Sequence, residues 1–480
     1  MRTFRFLLLF AVVIGLAAFP AQGFARSETI VYGTTEKVID MDPANAYDFH
    51  TWEIFYNIYQ GLLTYPPGST ELTPCLAESY TISPDGKEYT FKLRKGLKFT
   101  DGTPFDANAV KWSVDRVIAL KGDPSWLVTD FVKSVEVVNS HAVKFILKNP
   151  VAYFPSLVAS VPYFPVNPKV YPKDKIIRDP SELKGGKLVG LGPYKVVSFK
   201  RDQEIVMEAN PNYWGKKPKT KRIVIRYFAD ATTMRLALEK GEIDIAFKSL
   251  NPSDIRDLEK SSKVNTIKAQ GPYIRYLCFQ CSTPPFNDKV LRQAVAAVIN
   301  RPEVIQKVFL GQNAPLYSMV PMGMWSHIDA FKTAYGDGNV KKAKELLASK
   351  GYNEKNKFTF DLWYTPQWHN KQMQSYLLGW YPDYIDPDNY TAAFAGTAGS
   401  AGMGIYFSDP EWDKILTQGQ TVPDMKKREE IYKKVQEMWA VDVPTCPIFQ
   451  GTLYVFTQKN VHGVKLSPTL RFNYDPLFKE

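Results

Sequence analysis

Gly379-Trp-Tyr-Pro-Asp-Tyr-Ile-Asp-Pro-Asp-Asn-Tyr390 gathers four aromatic rings, two prolines and three carboxylates, Asp383, Asp386 and Asp388, into one short stretch. Such a segment can be a solvated loop, can supply oxygens to a calcium ion, or can present one carboxylate to a cationic ligand. Calcium loops use a turn glycine and a closing Glu, and both are absent here. A carboxylate flanked by Trp380, Tyr381 and Tyr384 suits an ammonium group, because charge pairing and cation–π attraction act together once water is excluded. On these residues alone the three readings stay open.

The rest of the chain sets the frame for that block. It has 480 residues, of which 45% are hydrophobic, 14% aromatic and 23% charged, with 34 Pro and 29 Gly scattered along it. These proportions exclude collagen-like, coiled-coil and disordered classes and predict roughly three domain-sized units, or fewer large ones. The formal charge of +11 is spread among acids along most of the sequence, which argues against nucleic acid as a partner. The densest basic run, Lys216, Lys217, Lys219, Lys221 and Arg222, surrounds Pro218 and reads as a solvated turn.

Arg2 and Arg5 precede an unbroken apolar run from Phe6 to Phe19, followed by Pro20 and the small residues Gly23 and Ala25. This is the pattern of a secretory signal over 1–25, cleaved after Ala25. The run is shorter than the roughly 20 residues of a spanning helix. No Cys lies near the cut, so a lipid-modified signal is not expected. Of the cysteines, Cys75, Cys278, Cys281 and Cys446, the central two form a CxxC inside an aromatic, strand-like stretch. Residues three apart on a strand are about 10 Å apart on opposite faces, too far for one disulfide. Neither a redox motif nor a zinc ribbon is expected, and the pairing of the four stays open.

Periodicity predicts alternating strands and helices. Strands are expected at Thr29–Tyr32, Val135–Leu147, Tyr194–Phe199, Glu204–Glu208, Arg222–Phe228 and around Cys278, with a hairpin about Pro84-Asp85-Gly86. Helices are expected over Tyr47–Leu63, after the caps Asp106, Asp230 and Asn287, over Pro302–Leu310 and Val340–Lys350, and after Asp424. This order suggests α/β layers. No repeat or low-complexity linker is visible.

Catalytic signatures are missing. His50, His141, His327, His369 and His462 show no metal-binding spacing, and Gly396-Thr-Ala-Gly-Ser400-Ala-Gly402 has the wrong glycines for a nucleophile elbow. No phosphate-cradling lysine loop occurs, and Gly190-Leu-Gly192 lacks the third glycine of a dinucleotide fingerprint. No catalytic residue, metal or cofactor is expected. A secreted hydrolase is the alternative from another class.

Several segments together carry a family resemblance. The block at 379–390 resembles the GWxxDxxDPDNF segment of extracellular solute-binding proteins of family 5, the peptide and nickel class that serves ATP-binding cassette (ABC) importers. Leu76-Ala-Glu-Ser-Tyr80, the stretch Phe91–Phe105, Gly192-Pro-Tyr194, Asn210-Pro-Asn-Tyr-Trp-Gly215, the stretch Leu238–Ala246 and the stretch Pro285–Ala294 agree, in order. The resemblance implies an α/β, two-lobed periplasmic-binding-protein fold of type II with an extra subdomain in the first lobe. Lobe I would use 26–270, including the subdomain at about 75–185, and the return segment 446–480. Lobe II would use 271–445. The implied protein is a periplasmic monomer that binds a dipeptide or oligopeptide between the lobes and delivers it to an ABC permease of the inner membrane. Nickel chelates, oligosaccharides and opine-like compounds are the alternatives within the class. In peptide-binding members the first Asp of GWxxD holds the ligand's α-ammonium, which is Asp383 here. Gly379, Trp380, Tyr381, Tyr384 and Trp363 complete the implied ligand site.

The sequence departs from the family pattern in two places. Dipeptide-binding relatives place an Arg a few residues after Trp-x-x-Pro to take the ligand carboxylate. Here Trp363-Tyr-Thr-Pro366 is followed by Gln367, Trp368 and His369, which favours oligopeptides over strict dipeptides. Between Asn370 and Gln374 several tens of residues, comprising helices and a strand, are missing. Lobe II is therefore expected to be shortened, with apolar surface left exposed.

Overall fold

A computed structural model describes residues 25–363, 373–467, 469 and 471–480. The signal segment apart from Ala25, His369, and the junction at Asn370–Gln374 apart from Met373 and Gln374 lie outside the described residues.

Among the described residues ten strands form one mixed sheet. Its order is Leu362–Trp363, Ser375–Trp380, Val264–Phe279, Thr445–Gln458, Ile245–Phe247, Thr29–Thr34, Arg222–Tyr227, Glu204–Ala209 and Tyr194–Lys200, with Ala314–Pro315 added beside Thr445–Gln458. The two long strands, Val264–Phe279 and Thr445–Gln458, run antiparallel from one half of the molecule into the other, and their register shifts between Gln270 and Ile274. Gly271 and Gly451 meet at this irregularity. A Cβ on Gly451 would lie 1.6 Å from the Tyr273 ring, so only glycine lets that ring cross the neighbouring strand.

Apolar burial divides along the same line. One core joins residues between Ile30 and Phe247 to the tail residues Leu453–Leu477. A second joins Ile274 through Cys446 and includes Trp412 and Trp439. Within the first half a separate four-stranded antiparallel sheet, Ala77–Ile82, Glu88–Leu93, Ala142–Leu147 and Val132–Asn139 in that spatial order, packs against the helix Ala107–Leu120. No helix among the described residues is long and apolar enough to cross a membrane.

Local signals explain most elements. Asp106, Asp230 and Asp424 each accept a backbone N–H of the first helical turn, a cap worth about 1 kcal/mol. Pro84-Asp85-Gly86 makes the hairpin turn, with Gly86 at φ +70°. Three expectations need correction. The helix expected over 47–63 runs only from Phe49 to Ile58. The backbone is already extended at Tyr59, and Gly61 then passes against the Phe164 ring and the Val158 carbonyl, where a Cβ would be 2.8 and 3.1 Å away. Asp288, not Asn287, caps Lys289–Val298 by accepting from Val290 N–H. The alternation over 135–147 is two strands, Val132–Asn139 and Ala142–Leu147, folded at Ser140-His141. Cys278 lies in its strand, Cys281 lies beyond the end, and all four cysteines are free thiols.

At the second half's sheet edge, Leu362–Trp363 is only two residues long and pairs in parallel with Ser375–Trp380. Leu362, Trp363 and Leu377 are exposed there.

Candidate functional site

Ser375–Trp380 delivers Gly379 and Trp380 to the junction of the two cores, and the chain then leaves the sheet at Tyr381-Pro382. A short turn of helix, Pro387–Tyr390, follows, capped by the Asp386 side chain accepting from Asp388 N–H. Behind this loop lies the long helix Met425–Asp442, which contributes Arg428 and Tyr432.

The three carboxylates are all buried but are held differently. Asp386 forms a forked ion pair with Arg428, at 2.8 Å from Nη2 to Oδ1 and 3.0 Å from Nη1 to Oδ2. The guanidinium also faces the Trp325 ring at 5.1 Å. Burial pushes the Asp386 carboxyl up to about 6, with Arg428 acting in the opposite direction. Asp388 accepts from the Tyr384 hydroxyl at 2.8 Å and from Tyr432 at 3.4 Å, and burial raises it too. These two acids are structural members of a closed polar network.

Asp383 is 6% exposed, and among the described residues no cation lies within ion-pair distance of it. Its backbone N–H donates to Asn389 Oδ1 at 3.1 Å, and Asn389 Nδ2 donates to its Oδ2 at 3.5 Å. Trp380 Nε1 donates to the same Asn389 oxygen at 3.0 Å. Burial pushes the Asp383 carboxyl up to about 7, while hydrogen bonds from Tyr47 and Asn389 pull the other way. A carboxylate in dry surroundings without a countercharge is costly to ionise. An arriving ammonium would supply that charge.

Space surrounds the loop on three sides. A cavity of about 810 Å³ is lined by Tyr47, Trp126, Trp380, Tyr384, Asn389 and Met403 among others. A second, of about 580 Å³, lies between Phe49, His50, Lys248, Tyr273, Tyr381 and Tyr454. A third, of about 560 Å³, is lined by Tyr65, Tyr153, Met322, Trp325, Asp386 and Arg428. The first and third take walls from both cores, whereas the second sets Tyr273 and Tyr381 against Phe49, Phe247 and Leu453 of the first core. Directly at Asp383 the space is only about 20 Å³.

The structure brings five of the six anticipated residues together. Tyr381 stacks on Tyr273 with ring centroids 5.2 Å apart and meets Phe49 at 5.1 Å. Tyr384 stacks on Tyr153 at 4.9 Å and 5°, so its ring closes one half of the molecule on the other. Gly379 lies under the guanidinium of Arg275. Trp363 stands apart, 44% exposed on the edge strand and lining none of these cavities. Sequence reasoning did not find Tyr47, Asn389, Arg428 or Arg275. Asn389 lay within the quoted block, but nothing local marked the other three. It also missed a buried network beside the 580 Å³ cavity, where Lys248 Nζ sits 2.9 Å from Glu53 and 3.2 Å from Glu36. There burial first, and the charge of Lys248 second, push the His50 imidazole down to about 3.

Comparison with known proteins adds the family. Residues 71–366 match the family described as "Bacterial extracellular solute-binding proteins, family 5 Middle". A probable D,D-dipeptide-binding periplasmic protein of Escherichia coli is 27% identical, with 98% of each chain covered. That alignment extends over 514 positions, more than the 480 residues of this chain, so the relative has residues without counterpart here. Heme-binding protein A of Haemophilus influenzae is 26% identical over 95% of this chain and 92% of its own. Among solved structures, a periplasmic binding protein of Helicobacter pylori in complex with the peptide STSA superposes with a TM-score of 0.77 over 94% of this chain and 98% of its own, at 24% identity. The fold is thus the two-lobed one of that class.

Proposed function

The chain belongs to the bacterial extracellular solute-binding proteins of family 5, and from that premise we propose that it is the periplasmic substrate-binding component of an ABC importer, with peptides as cargo. The observation that carries the peptide reading is Asp383, a buried carboxylate that among the described residues lacks the cation its neighbour Asp386 has. A peptide's α-ammonium meets that need, with Trp380, Tyr381 and Tyr384 supplying ring faces around it. The peptide-binding relative in Escherichia coli supports the same cargo.

Lobe I takes 26–270 and 446–480, with its extra subdomain at about 75–185, and lobe II takes 271–445. The division of the apolar cores supports these limits. Cargo enters with the lobes apart, and closure brings Tyr153 onto Tyr384 and Phe49 onto Tyr381. The closed form is what the permease recognises, by the population-shift logic of hinged binding proteins. The protein works as a monomer without catalysing a reaction, and its lobe II is reduced near Asn370–Gln374.

Native mass spectrometry of protein purified from its host tests this reading. One peptide per chain, released unchanged on denaturation, is the expected result. Turnover of added peptide, or a cargo without an amine, would sink it.

A further inference from the structure

The three large cavities differ in how their buried polar groups are satisfied. On the 560 Å³ cavity Asp386 and Arg428 complete each other, and on the 810 Å³ cavity Asp388 is held by Tyr384 and Tyr432. The cavity of about 580 Å³ is not settled in this way. Its size lies within the roughly 300–1,000 Å³ of ligand pockets.

Glu36, Asp48, His50 and Lys248 line this cavity, and Glu53 lies fully buried beside Lys248. Lys248 Nζ serves both Glu53 and Glu36, at 2.9 and 3.2 Å. Asp48 is left over. Its Oδ1 accepts from Thr51 N–H at 2.7 Å, its Oδ2 is buried without a hydrogen bond, and it forms no ion pair among the described residues. Lys37 also lines the cavity, but it is 67% exposed and stands 4.0 Å from Asp202. Three carboxylates thus share one buried ammonium. The helix Phe49–Ile58 begins after Asp48 and adds roughly half a positive charge, which does not close the gap. Burial raises the Asp48 carboxyl, with Thr51 acting the other way, so a countercharge would be what holds this acid ionised.

A second group points to the same vacancy of charge. His50 is 2% exposed, and its Nε2 shares a hydrogen bond with the Tyr227 hydroxyl at 2.9 Å. Its Nδ1 faces Glu36 at 3.8 Å, beyond hydrogen-bond distance, and is buried without a partner among the described residues. Ring faces complete the walls, with Phe49 and Tyr381 meeting at 5.1 Å. Tyr381 stands two residues before Asp383, and Phe49 lines both this cavity and the small space at Asp383. A side chain projecting from cargo held at that loop therefore has the cavity within reach.

We propose that the 580 Å³ cavity receives a basic side chain of the peptide cargo, whose ammonium or guanidinium pairs with Asp48 and Glu36 beside the Phe49 and Tyr381 rings. This rests on the reading of the cargo as a peptide. Carboxylates and ring faces act on the same cation, and His50 Nδ1, with the ring proton on Nε2, accepts one of its N–H donors. An apolar side chain leaves Asp48 without a countercharge. An acidic one adds a like charge.

Calorimetric titration of trialanine carrying lysine, norleucine or glutamate at each of its three positions tests this on wild type, Asp48→Asn, Glu36→Gln and the double variant. Norleucine keeps the straight carbon chain and lacks the ammonium. Wild type should prefer lysine to norleucine at one position by about tenfold to a hundredfold, the range for hydrogen bonds to charged groups, with glutamate weakest there. Each single variant should lose part of that preference and the double variant all of it, while affinity for the norleucine peptides stays within about twofold. Asn caps a helix as well as Asp, so Asp48→Asn removes the charge and keeps the helix start, and thermal melts of each variant confirm folding. If wild type binds the lysine and norleucine peptides equally at every position, or if the double variant keeps the preference, the proposal fails and the peptide reading stands. Absence of binding to all of these peptides by wild type overturns both.

Discussion

Asp383 and Asp386 share one loop and one degree of burial, yet Asp386 is forked onto Arg428 while Asp383 has, among the described residues, the amide of Asn389 and the hydroxyl of Tyr47 for company. The difference separates architecture from recognition. A buried ion pair whose partners are both supplied by the chain is complete and holds the loop to the helix Met425–Asp442. A buried acid without its cation is an incomplete pair, and its missing half is a property of the ligand.

The largest effect should come from breaking the complete pair. Arg428→Met leaves Asp386 buried without a countercharge, which costs about 3–5 kcal/mol. The loss should grow from pH 5 to pH 8 as the carboxylate is forced to ionise. Urea denaturation at both pH values measures it, and a variant as stable as wild type at pH 8 would remove the structural role given to Asp386.

Asp383→Asn should behave in the opposite way, lowering peptide affinity on the order of 10²–10³-fold with no loss of stability. The sign of its pH dependence follows from the raised carboxyl. With a folded value of about 7 against about 3.9 unfolded, the wild type gains stability from neutral Asp383 at low pH. It loses that stability as pH rises through 7. The variant lacks this loss, which accumulates from about pH 4, near the unfolded value, and is complete just above pH 7, so its melting temperature should overtake that of the wild type across about pH 4 to pH 7.

A smaller effect sharpens the same contrast. Ammonium capture needs ionised Asp383, so binding near pH 7 should release roughly half a proton. Titrations in buffers of different ionisation enthalpy detect it, and Asp383→Asn should abolish it. The smallest effect is expected at Trp363. On an exposed edge, Trp363→Ser should alter affinity less than about twofold and stability by no more than about 0.5 kcal/mol, while reducing self-association seen in light scattering. A tenfold loss of affinity would return Trp363 to the ligand site.

What could be read from the sequence was local. Asp106, Asp230 and Asp424 sat before periodic apolar stripes, and all three cap helices. Asn287 and Asp288 are both good caps and adjacent, so spacing could not choose between them. Beyond Ile58, Tyr59, Leu62 and Leu63 stay buried without being helical, and composition does not register that difference. At the site, the quoted block pointed to the right loop but not to the division of labour within it. Which acid is paired depends on Arg428, far along the chain. Arg275 escaped notice because its position matters only once the strand Ser375–Trp380 lies beside it with a glycine in register.

The crossing of the two long strands has a consequence for how such a chain can change over generations. The second half leaves the first along Val264–Phe279 and returns along Thr445–Gln458, strands bonded to each other for most of their length. Everything between them is a side branch with a zipped base. Material can be trimmed from the branch tip while the trunk keeps every one of its own pairings, so ancestry can prune one lobe and leave the other's folding untouched.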